Sequence, residues 1–198
     1  MEGASRRLVE KSMSTGLHLT ANEFGRMVEC GAFDHLNRKI ELIRGELREM
    51  NPAGPVHDDL IMYLTNWSAR SISPDSIMVT SQTGLDLAEL DSRPEPDLLW
   101  VRAARYRERH PSASDVKLAI EVSRSSLQSD LREKAALYAE AGIVEYWIVD
   151  ANASCVHVYR QPRGAEYTDR SIANRGDKIS PMETKKAVLD INDLFGSD

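Results

Sequence analysis

One run constrains the fold more than any other: Val116-Lys117-Leu118-Ala119-Ile120-Glu121-Val122-Ser123. Its alternation predicts a strand with Leu118, Ile120 and Val122 on one face and Ala119, Glu121 and Ser123 on the other. Glu121 therefore falls at a half-buried position and points the same way as Ser123. Two flanking stretches add to this. Pro96-Asp97-Leu98-Leu99-Trp100-Val101 is a second apolar run, headed by a carboxylate, and Ser129-Asp130-Leu131-Arg132-Glu133-Lys134 opens a helix with its lysine beside an apolar stripe. Two carboxylates at the ends of neighbouring strands, with a lysine from the next helix, can hold a divalent cation and polarise a phosphate. Spacing alone leaves a structural alternative: Asp97 capping a turn, Glu121 paired with an arginine, and Lys134 in an i,i+4 pair with Asp130 worth about 0.2–0.5 kcal/mol.

The rest of the chain supplies elements around this segment. Thr20-Ala21-Asn22-Glu23 has the form of a capping box and starts a helix to about Cys30, with Gly31 as its stop. Residues 39–50 predict two short strands turning at Arg44-Gly45, with Glu41 and Glu46 flanking the turn. After the Pro/Gly break at 51–55, Val56, Leu60, Leu64 and Trp67 recur at helical spacing and put His57 in the first turn. Residues 76–87 predict one long or two short strands, and Pro94 and Pro96 force extended geometry ahead of Asp97. A helix over 130–141, with Ser129 as N-cap and Gly142 as terminator, is followed by strands over 144–149 and 155–159 joined by a turn at 150–154. From Gln161 onward polarity rises, and residues 188–191 close the domain. This order predicts a mixed sheet with helices against it, of α/β class bordering on α+β.

Residues 1–19 are polar with no sustained period and predict a flexible leader, and a length of 198 residues predicts a single domain over 20–198. The N-terminus lacks the apolar core of a secretory signal, and no run is long enough to span a membrane, so the expected location is cytoplasmic, with no membrane partner. Cys30 and Cys155 form no C-x-x-C pair and read as two buried thiols. The net charge of −6 argues against a surface coated for nonspecific nucleic-acid binding. A local patch remains available in Arg102, Arg105, Arg107 and Arg109, unless that run is a solvated face.

Glu41-Leu42-Ile43-Arg44-Gly45-Glu46, His57, Pro96-Asp97, Ile120-Glu121-Val122-Ser123 and the segment from Asp130 to Asp150 together resemble the Uma-type restriction endonuclease family, a former domain of unknown function in the PD-(D/E)XK nuclease superfamily. The likeness runs from about Thr20 to Tyr159 and is most specific over 134–150. It implies a restriction-endonuclease-like core whose active site lies where two strands diverge. It also implies Mg2+ or Mn2+ as cofactor and DNA as substrate, with a homodimer as one possible assembly. Asp97 then takes the place of the superfamily's aspartate and Glu121 that of its second acid, with the Val122 carbonyl as a third metal oxygen. The usual lysine position is Ser123 here, which makes Lys134 the displaced catalytic lysine. Glu46, ahead of Glu41, supplies the additional acid, while His57 and Asp130 support the site. Ser123 keeps a second reading in view, an inactive nuclease-like fold that binds DNA or protein. A third is a hydrolase of small phosphoesters with a closed pocket.

Overall fold

The computed structural model describes residues 16–50 and 52–196. Helix α1 (Ala21–Glu29) starts as the capping box predicts: Thr20 Oγ1 accepts from the Glu23 amide, and the Glu23 carboxylate accepts from the Thr20 amide. The hairpin of β1 (Ile40–Ile43) and β2 (Glu46–Glu49) turns at Arg44 and Gly45, whose φ values of 49° and 77° are those that a two-residue turn demands. Leu42 packs inward against Leu19 and Phe24. Residues 1–15 of the expected leader lie outside the described residues. Leu19, also within that expected leader, is buried and donates its amide to the Gly45 carbonyl.

Helix α2 (Pro55–Ser71) leads to a six-stranded sheet. Its strands are β3 (Ile77–Ser81), β4 (Leu98–Arg102), β5 (Val116–Ser123), β6 (Glu145–Asp150), β7 (Cys155–Arg163) and β8 (Glu166–Ala173), side by side in that order. Only β5 and β6 run parallel. Their crossover is helix α3, residues 127–140, as a parallel connection requires. A small β9 (Lys178–Ile179), β10 (Leu189–Asp190) and α4 (Ile191–Phe195) close the chain against α2.

The two faces of the sheet carry separate cores. On the α2 side Trp67 stacks on Trp100 and Trp147, at ring separations of 5.4 and 5.9 Å, above Leu118, Ile120 and Val122. On the α3 side Tyr138 meets Tyr146 edge-on at 4.9 Å, over Ala119 and Ile148. The alternation read for β5 is therefore the one observed, and it turns Glu121 towards α3.

Several expectations change. The Leu85–Leu87 stretch forms isolated bridges rather than a strand. Strand β8 was hidden by its composition, because only Tyr167 and Ala173 of its eight residues are buried and the rest face solvent from the sheet edge. Cys30 caps α1 in an exposed position, while Cys155 is buried. Ser129 is already inside α3, with helical dihedrals and no capping hydrogen bond.

Candidate active site

The β4–β5 ladder ends with Leu98 opposite Ile120, and the strands part beyond it. Asp97 stands at that divergence. One carboxylate oxygen takes the place of a ladder acceptor, receiving the Val122 amide at 2.8 Å, and the other lies 3.1 Å from His57 Nε2. His57 comes from the first turn of α2. Its Nδ1 is buried without a hydrogen bond, 3.5 Å from Asp58.

Glu121, on β5, is 4% exposed, and its Oε1 accepts from Lys134 Nζ at 3.0 Å and from the Tyr138 hydroxyl at 2.9 Å. Lys134 comes from a part of α3 that is not a regular helix. Residues Asp130–Lys134 form a π-helical turn in which the Ala135 amide donates to the Asp130 carbonyl. Asp130 and Lys134 are both buried within this turn, and π turns of this kind recur at functional sites. Lys134 Nζ also lies 3.5 Å from Glu41, whose Oε2 accepts the Glu95 amide.

Ser123, at the position where the lysine was expected by analogy, is fully buried and donates to Asp130 at 2.6 Å; Ser126 donates to the same oxygen. This carboxylate therefore ties the start of α3 to the end of β5. The i,i+4 pair between Asp130 and Lys134 does not form a direct bridge; the ammonium goes to Glu121 and Glu41 instead.

Asp97, Glu121, Glu41, His57, Lys134 and the Val122 backbone line one open cavity of about 690 Å³. Glu46 is not among them. Opposite residues of the hairpin share a face, so Glu41, Ile43, Glu46 and Arg48 all point the same way. Glu46 lies beyond the cavity, at the turn, where it is exposed and bonds Arg48 at 2.7 Å. The structure thus brings Glu41, rather than Glu46, to the other acids.

The arginine cluster is also elsewhere. Asp97 precedes β4, whereas Arg102 ends it. Arg102 and Arg109 both bind the buried Asp115 carboxylate, at 2.7 and 2.6 Å, and Arg105 and Arg107 are exposed. The cations at the cavity mouth are Arg124 and Arg48, neither of which was singled out in the sequence. Tyr138, which bonds Glu121, was not singled out in the sequence either. Its place four residues after Lys134 on an inward face was the available signal.

Burial, together with the nearby Asp97, Asp130 and Glu41 charges, pushes Glu121 well above the usual carboxylate range, against the pull of Lys134. Burial opposes the Lys134 charge, yet Glu121, Glu41 and Asp130 hold its ammonium well above the ordinary lysine value. His57 is raised by its hydrogen bond to Asp97, with burial opposing. Four carboxylates thus surround one buried ammonium and one histidine. Asp97 and Glu121, where β4 and β5 part, offer hard, negative oxygen ligands of the kind that hold a divalent cation. Glu121 Oε2 has no hydrogen-bond partner among the described residues, which leaves it open to such an ion.

Among the described residues, no helix is long and apolar enough to cross a membrane. The Uma2 family, described as "Putative restriction endonuclease", matches residues 21–192. No curated protein matches the chain. Among solved structures, the chain is similar to one described as a putative nuclease belonging to DUF820 from Anabaena variabilis. The TM-score is 0.68 at 17% identity, covering 89% of this chain and 97% of that one. At that identity the likeness speaks for a shared fold.

Proposed function

The chain belongs to the Uma2 family, and from that premise we propose that it is a metal-dependent DNA endonuclease whose site is built on Asp97, Glu121, Glu41 and Lys134. One observation carries the reading: Lys134, although displaced to a helix, has its ammonium 3.0 Å from Glu121 in the cavity that Asp97 also lines. Ser123, which by itself favoured an inactive fold, is accounted for as the anchor of Asp130.

Each residue has a distinct task. Asp97 and Glu121, with the Val122 carbonyl, hold Mg2+ or Mn2+, which when bound supplies a Lewis acid for the scissile phosphate and a more acidic water. His57 and the Val122 amide fix the orientation of Asp97, and Tyr138 does so for Glu121, as outer partners of metal-binding carboxylates do. Lys134 keeps a positive charge beside the position of the phosphate, where negative charge grows in the transition state. Glu41 holds the ammonium from the other side. Arg124 meets a flanking phosphate at the mouth, while Arg48 is held by Glu46 and Glu133.

Nicking of supercoiled plasmid with and without Mg2+ or Mn2+, run beside Asp97→Ala, tests the proposal. Metal-dependent nicking is expected from the wild-type chain and not from the variant. Failure to nick with either metal, while DNA is still bound, would support the binding module instead.

A further inference from the structure

A second group of side chains, outside the cavity, has the composition of a different kind of metal site. Asp150 ends β6, Cys155 begins β7 directly opposite it, and His157 follows on the same face of β7. One ligand atom from each, a carboxylate oxygen, the thiol sulfur and an imidazole nitrogen, lies within 4.8 Å of the other two. Cys155 Sγ and His157 Nε2 are 4.0 Å apart.

We propose that Asp150, Cys155 and His157 form a zinc-class metal site that clasps the β6–β7 hairpin. Three features support it beyond proximity. The donor set is soft and borderline, one thiolate, one imidazole and one carboxylate, which selects zinc over magnesium. The carboxylate is oriented in advance, because its Oδ1 accepts the amides of Asn152 and Ala153 while Oδ2 has no hydrogen-bond partner among the described residues. This is the fixing role that outer partners play around metal ligands. The ligands also stand on paired strands, so their backbones are held. Tetrahedral zinc keeps its protein ligand atoms roughly 3.3–3.6 Å apart, within about 1.5 Å of the spacing found here. Three protein ligands leave a fourth position for water.

The hairpin so clasped borders the cavity. Asn152, in its turn, lines the cavity and donates to the Arg124 carbonyl at 2.6 Å, and the Ala151 amide donates to Ser123. A metal here would stiffen the segment that backs Arg124. The site stands on its own residues and does not depend on whether the chain cleaves DNA.

Cobalt(II) serves as the probe, because a cobalt–thiolate bond gives a charge-transfer band in the near ultraviolet. Titration of the full chain should show this band saturating at one equivalent and disappearing on addition of zinc(II). Cys155→Ser should abolish it, and His157→Gln should weaken binding at least ~10-fold, a loss of the size seen when metal-site partners are removed. Cys30→Ser and Asp97→Ala should leave it intact, which separates this site from the other cysteine and from the proposed catalytic centre. Absence of the band in the wild-type chain, or a band that is lost with Cys30 and kept without Cys155, would overturn the proposal. Should Cys155→Ser fail to fold, the partly exposed His157→Gln decides: unchanged cobalt affinity in that variant would also overturn it.

Discussion

Lys134 Nζ lies 3.0 Å from Glu121 Oε1, and both side chains are buried, although thirteen residues separate them. A buried pair of this kind makes stability and activity separable. Lys134→Met leaves Glu121 buried without its cation, which typically costs about 3–5 kcal/mol. Urea unfolding should register that loss, and turnover should fall by about 10²–10³-fold, as when a donor to the transition-state charge is removed. Adding Glu121→Gln to Lys134→Met should recover stability and leave activity absent. A double variant no more stable than the single one would show that the pair is not what the lysine contributes to the fold.

Glu41 and Glu46 share a hairpin face, but only Glu41 lines the cavity. Glu41→Gln should therefore reduce metal-dependent nicking at least ~10-fold, within the range for disturbing partners around a metal site. Glu46→Gln should leave it near the wild-type rate. Equal losses in the two variants would mean that the hairpin acts through its fold and not through Glu41.

The salt dependence of DNA binding should follow Arg124 at the cavity mouth. Each phosphate contact removed lowers the slope of log K against log salt by about 0.9. Arg124→Ala should flatten the slope, whereas Arg102→Ala with Arg109→Ala, already neutralised by Asp115, and Arg48→Ala, paired with Glu46 and Glu133, should change it little. The reverse pattern, measured by fluorescence anisotropy, would restore the Arg102–Arg109 region as the phosphate-binding face.

Asp115 gives the fold an acid-sensitive contact. The Arg109 hydrogen bond foremost, with the Ser112 amide and Arg102, holds its carboxyl well below the usual range despite burial. A depressed folded-state value contributes stability that is fully present above the unfolded value of about 3.9 and is lost as pH falls below it towards the folded value. Asp115→Asn should cost about 1–2 kcal/mol at neutral pH, since the arginine heads are half exposed and screened. The variant should also lose less stability than the wild-type chain between about pH 5 and pH 3. Parallel unfolding curves across that window would remove Asp115 from the acid response.

What the sequence determined by itself was what short-range chemistry controls. The Thr20 capping box, the Arg44–Gly45 turn and the alternation of β5 each depend on residues a few positions apart, and each is present as read. The sequence also set Glu121 on one face with Ser123, but only the packed fold turned that face towards the helix that carries Lys134. Tertiary structure alone decided which acid joins them, because Glu41 and Glu46 share a face of the hairpin and differ in distance from the turn. It also decided that two of the arginines close on Asp115, that a π turn opens α3, and that Ser123 anchors Asp130. These outcomes follow from which surfaces the packed sheet brings within a few ångströms of one another. That proximity is set by strand register and by the cost of leaving buried charges unpaired, and neither is written in any local window of residues.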